Sequence, residues 1–124
     1  MFKRVSFNFK TQENTANETS WAVGSILTHP AWNPTKEECG VGKFHACPKA
    51  YLCDEFRSEK TDRYIAIRVA VTDLYVWPKN PSYPHKVAFR TGTVLYECDK
   101  NGIKINREAA AKKEEGEKME ERAA

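Results

Sequence analysis

Asp62-Arg63-Tyr64-Ile65-Ala66-Ile67-Arg68-Val69-Ala70-Val71 is the stretch on which the fold reading turns. Side chains along an extended chain point alternately to opposite faces. Ile65, Ile67, Val69 and Val71 therefore share one apolar face, and Tyr64, Ala66, Arg68 and Ala70 share the other. No other part of the chain alternates so regularly, and the segment is read as the central strand of a sheet. Leu74 to Trp77 extends or follows it, and prolines 78, 81 and 84 impose a rigid, turn-rich loop. Lys86 to Glu97 then supplies one or two strands, with Val87, Phe89, Val94 and Tyr96 as apolar points. Asn101-Gly102 is a tight-turn signal, after which Ile103 and Ile105 pair back.

Upstream, Val5, Phe7 and Phe9 alternate with Arg4, Ser6 and Asn8, which predicts a strand from Phe2 to Phe9. Thr11 to Ser20 is polar and reads as a loop, and Trp21 to Thr28 is again strand-like, with Gly24 marking a bulge or a close backbone approach. His29 to Gly42 is an irregular connection, and Lys43 to Ala46 is a short strand. Pro48 opens a helix reaching Phe56, because its missing N–H costs nothing in the first turn. Asn106 caps a final helix of alanine, lysine and glutamate that has almost nothing to bury. The expected architecture is α+β: a single domain over residues 1–105, with a mostly antiparallel, twisted sheet of five or six strands and one short packed helix. Residues 106–124 form a charged, solvated or frayed C-terminal helix.

At 124 residues, 40% hydrophobic and 30% charged, the chain suits one modest core. No apolar run approaches the roughly 18 to 20 residues that a membrane helix needs. Met1 to Ser6 begins no signal-peptide pattern, so a cytoplasmic setting is expected, in which the four cysteines stay reduced. The 20 basic and 17 acidic residues leave a formal charge of +3. Residues 104–124 hold six of each sign, so the mild excess lies in the first 103 residues and falls short of a nucleic-acid-binding stripe.

Cys39, Cys47 and Cys53 fall in one 15-residue stretch with His45 among them. Thiolate and imidazole are zinc ligands, but C-x5-H-x-C-x5-C lacks the short knuckles of structural zinc sites. A zinc-stabilised interaction module is therefore an alternative reading, with no metal assigned. Cys47 near a helix start invites a second idea, nucleophilic catalysis with His45, for which no third, orienting group is identifiable.

Trp21-x-Val23-Gly24, followed by Trp32-Asn33-Pro34 and Cys39-Gly-x-Gly42-x-x-His45-Ala46-Cys47-Pro48, resembles a small uncharacterised domain of phages, prophages and some bacteria. Arg68-Val69-Ala70-Val71 and Lys86-Val87-Ala88-Phe89-Arg90 match its later strands. The resemblance spans roughly Trp21 to Asn101 and departs from the family at Lys43-Phe44 and at the proline loop. It implies a phage-type origin and no particular activity. A fainter likeness, to ADP-ribosyltransferases, implies that Gly42, Phe44 and His45 would sit beside NAD, with Glu97 as the acid; the ribose-holding segment and the E-x-E loop of that family are missing. The favoured expectation is a non-catalytic, phage-type accessory protein without a cofactor that binds a host protein, such as a component of a bacterial defence system. Trp32, His45, Trp77, Tyr83 and Arg90 are its candidate binding residues.

Overall fold

The structure, a computed structural model, describes residues 1–34, 42–77 and 83–106. Among the described residues there are nine short strands in three antiparallel sheets: β1 Phe2–Val5, β2 Lys10–Thr11, β3 Thr19–Ser20, β4 Ile26–Thr28, β5 Phe44–Ala46, β6 Arg63–Arg68, β7 Leu74–Tyr75, β8 Val87–Phe89 and β9 Thr91–Cys98. The largest sheet runs β1-β6-β9-β4, a second runs β5-β8-β7, and β2 and β3 form a small ribbon.

These sheets join into a ring. β8 and β9 are separated only by Arg90, so one bent stretch of chain serves both larger sheets. At the other end, the Phe2 N–H donates to the Cys47 carbonyl at 2.7 Å and the Cys47 N–H to the Phe2 carbonyl at 2.8 Å. The circuit β1, β6, β9, β8, β5 and back to β1 is thereby closed. Inside it pack Val5, Trp21, Ala46, Ile65, Ile67, Val87, Phe89 and Val94. Trp21 is fully buried, its ring edge-on to Phe44 and Phe89, and its indole N–H donates to the Thr11 hydroxyl at 2.9 Å. Gly92 sits where the bent stretch turns: a Cβ there would lie 2.7 Å from Ile67 and 2.9 Å from Phe89.

The strands are mostly antiparallel, as expected, but they form sheets of four, three and two strands with very little helix, in place of one α+β sheet of five or six. β6 covers Arg63–Arg68 and stops short of Val71, which opens a 3₁₀ turn over Val71–Asp73 and is 85% exposed. Its pairing with β9 ends at Arg68 opposite Thr93, just before the bend, and the register shifts between Ala66 and Ile67, where β9 carries the extra residue Leu95. β1 ends at Val5, not Phe9. The Ser6 N–H donates to the Lys10 carbonyl and the Phe9 N–H to the Ser6 carbonyl, and Phe9 takes a left-handed φ of 61°, a conformation that ends an extended run. The presumed loop at 11–20 carries the β2–β3 ribbon, while only Ile26–Thr28 of Trp21–Thr28 pairs as a strand.

The helix expected from Pro48 to Phe56 is a single 3₁₀ segment, Ala50–Glu55, with Ala50 and Cys53 buried. Two apolar residues four apart are too few to sustain an α-helix. Among the described residues the helical content is this segment and the turn at 71–73. Cys98 bridges Lys104 and the Ile105 N–H donates to the Glu97 carbonyl, so the expected pairing-back after Asn101-Gly102 is present. The charged helix expected over 106–124 lies outside the described residues from position 107 onward, as do most of the proline loop and Cys39.

Candidate functional site

β5 carries the chemistry singled out in the sequence, and its two faces have different surroundings. Phe44 pairs with Phe89, which in turn pairs with Leu74, and this row packs on the core. His45, Ala88 and Tyr75 form the opposite row. Trp77 covers that row: its ring lies nearly parallel to His45 at 6.3 Å and edge-on to Tyr75 at 5.5 Å, and it is only 6% exposed.

Of the five candidate binding residues, the structure thus brings His45 and Trp77 together. Arg90 attaches to the adjacent arm that carries the 3₁₀ turn and β7: its N–H donates to the Asp73 carbonyl at 3.0 Å and its guanidinium pairs with the Asp73 carboxylate at 2.9 Å. Tyr83 joins another cluster, edge-on to Phe56 at 5.4 Å, with the Lys86 ammonium 4.8 Å above the Tyr83 ring and 5.3 Å above that of Phe56. Trp32 is half-buried in the segment that returns to β5, where the Asn33 N–H donates to the Gly42 carbonyl at 2.9 Å. Gly42 has a φ of +90°, and a Cβ there would lie 3.1 Å from the Ala31 carbonyl, so this close return suits glycine.

Cys47 and Cys53 are buried, free thiols that hydrogen-bond to each other, and the Cys53 thiol also lies 3.4 Å from the Phe2 carbonyl. The contact with Cys47 makes Cys53 the harder of the two to ionise, and burial pushes it up further. Cys47 is drawn below the usual thiol range by that hydrogen bond, with the nearby Lys3 ammonium adding to it. Cys98 lies on β9, and burial raises its thiol to about 11. Among the described residues no three His, Cys, Asp or Glu side chains are grouped to hold a metal.

An open cleft of about 1020 Å³ borders β5, β1 and the segment 28–31. Gly42, Phe44 and His45 line it, together with Cys47, Cys53 and three lysines, Lys3, Lys43 and Lys86. Glu97, the acid of the NAD-binding resemblance, is not among the lining residues; its carboxylate accepts from Arg63 at 3.1 Å. Lys3 shares a face of β1 with Val5 and pairs in register with Ile65, so it points toward the ring interior. Its ammonium donates to the His45 carbonyl at 2.7 Å and lies 5.0 Å from the Trp21 ring centre. Burial is the main cause that lowers its pKa from 10.5 to about 8, the nearby thiols opposing the shift.

The lysines were absent from the sequence-derived candidates. For Lys3 a signal existed, since it has the same parity as Val5, but lysine at a strand position is ordinarily read as solvent-facing. Comparison with known proteins returns no match to any family, curated protein or solved structure.

Proposed function

We propose that this chain is a non-catalytic accessory protein of the phage type that acts by binding a host protein, with a bacterial defence component as the class of target. The observation that carries the reading is the arm of residues 71–76. Val71 and Val76 are 85% and 61% exposed, on a segment held to the ring by Arg90 and Asp73. Two solvated valines on a braced arm give a partner apolar surface that is already ordered, so little ordering entropy remains to be lost on binding, and Arg90 beside them is of a residue type enriched at interface hot spots. The buried Trp77 stiffens the arm from behind by packing on His45 and Tyr75.

The test places a photo-crosslinking residue at position 76 of the full chain in a bacterial host. A discrete adduct of one partner protein is expected, lost in Val71→Glu while the melting temperature stays within a few degrees. Absence of a discrete adduct, or an adduct undiminished by Val71→Glu, refutes the reading.

A further inference from the structure

We infer that the cleft beside β5 is a binding site for a small phosphate-bearing ligand, held by Lys3 and Lys43. Of the cationic groups that line it, Lys86 lies over the Phe56 and Tyr83 rings, and the other four fall into two sets. Arg4 and Arg57 are already neutralised: Arg4 pairs with Asp54 at 2.7 Å and Asp62 at 2.9 Å, and Arg57 with Glu13 at 2.7 Å and Asp62 at 2.9 Å. Lys3 and Lys43 are not, because no acidic side chain of the described residues pairs with either. Glu18, the acid on the lining, lies 3.6 Å from Lys10.

Lys43 is 6% exposed, and Lys3 is half-buried, its ammonium turned toward the ring with one backbone carbonyl as its acceptor among the described residues. An ammonium has three N–H donors, so Lys3 retains capacity for an incoming acceptor. A buried cation without a counter-charge is costly. Two cations lining one cleft, neither paired with an acid among the described residues, make that cleft a place where an anion is favoured.

Phosphate fits better than a carboxylate. It carries more charge at neutral pH and offers three acceptor oxygens to separate point-charge donors, without the fork geometry that arginine would impose. The cleft also has an aromatic wall, since the His29 and Phe44 rings meet at 4.7 Å and both line it. The phosphate can come from the free ion or from a nucleotide, and this wall separates the two sources, because only a nucleotide brings a planar base to lie against it.

The experiment titrates the isotope-labelled full chain with inorganic phosphate and, separately, with AMP at constant ionic strength made up with chloride, following amide shifts and melting temperature. Saturable binding is expected with at least one probe, with shifts clustered at residues 3, 29 and 43–47. Lys43→Met and Lys3→Met should each weaken it at least ten-fold, with melting curves showing that both variants fold. AMP binding more tightly than phosphate assigns the site to a nucleotide, and equal affinities assign it to the free ion. No saturable shift with either probe, or binding undiminished in either variant, overturns the assignment.

Discussion

Replacing Lys3 by methionine should make the protein more stable, and by an amount that depends on pH. Folding brings the Lys3 ammonium into the ring and lowers its pKa from 10.5 to about 8. That gap corresponds to about 3 kcal/mol of disfavour for the charged form in the folded chain. Between the two values the unfolded chain binds the proton and the folded chain releases it, so wild-type stability rises as pH increases from about 8 toward 10.5. Below pH 8 the full cost is present. Methionine keeps the apolar stem and removes the charge, and it gives up the 2.7 Å bond to the His45 carbonyl, worth about 1 kcal/mol. The expected net gain for Lys3→Met is therefore about 2 kcal/mol at pH 7, shrinking and reversing sign at about pH 10. Urea unfolding of the two proteins at pH 7, 8.5 and 10 measures this directly, because tyrosine and thiol titrations common to both cancel in the difference. Two stability curves running parallel from pH 7 to 10 would refute a charge buried at this position.

Asp62 is the next test of the packing. Its side chain is 1% exposed and accepts from both Arg4 and Arg57 at 2.9 Å. Asp62→Ala should cost about 1–3 kcal/mol in chemical denaturation, because it removes the buried carboxylate that both guanidinium groups share and leaves Arg4 on Asp54 and Arg57 on Glu13 alone. Gly92→Ala should cost about 1–3 kcal/mol, since the added methyl meets Ile67 and Phe89 at less than contact distance; a neutral melting temperature would mean that the bend has slack. Glu13 is held below the usual carboxylate range mainly by its hydrogen bonds from Arg57. The stability this contributes is fully present above its unfolded value near 4.5 and is lost as pH falls through the lower, folded value, so Glu13→Gln should flatten the acid limb of a stability–pH curve. His29 is lowered by burial and by Lys43, so folding favours its neutral form and wild-type stability should fall as pH drops below 6.5; His29→Gln should remove that part of the slope in the same titration.

The strands that could be seen in the sequence were those whose alternation coincides with a partner of matching length. Ile65 and Ile67 alternate with Tyr64, and β9 lies alongside to bury them. Val69 and Val71 continue the same pattern where the partner bends away, and periodicity carries no information about where a neighbour ends. Phe7 shows the same limit: it continues the parity of Val5 but is 59% exposed, because the backbone turns at Ser6. The short helix failed for a different reason, since one turn holds too few apolar residues to distinguish an α from a 3₁₀ geometry.

The candidate site was half legible. The Gly42–Cys47 stretch stood out by composition, and it does line the cleft. The opposing contribution of Lys3 depends on β1 lying beside Cys47, a pairing between distant parts of the chain that no local pattern announces.

That closure has a consequence for biosynthesis. The strand at Phe2–Val5 leaves the ribosome long before β6 or the Cys47 backbone exists to receive its hydrogen bonds, and it must wait with both edges bare. Such a segment invites intermolecular stacking. Lys3 and Arg4, adjacent cations in the middle of it, are well placed as gatekeepers during that interval. Because these pairings join distant parts of the chain, folding should be slow for the protein's size.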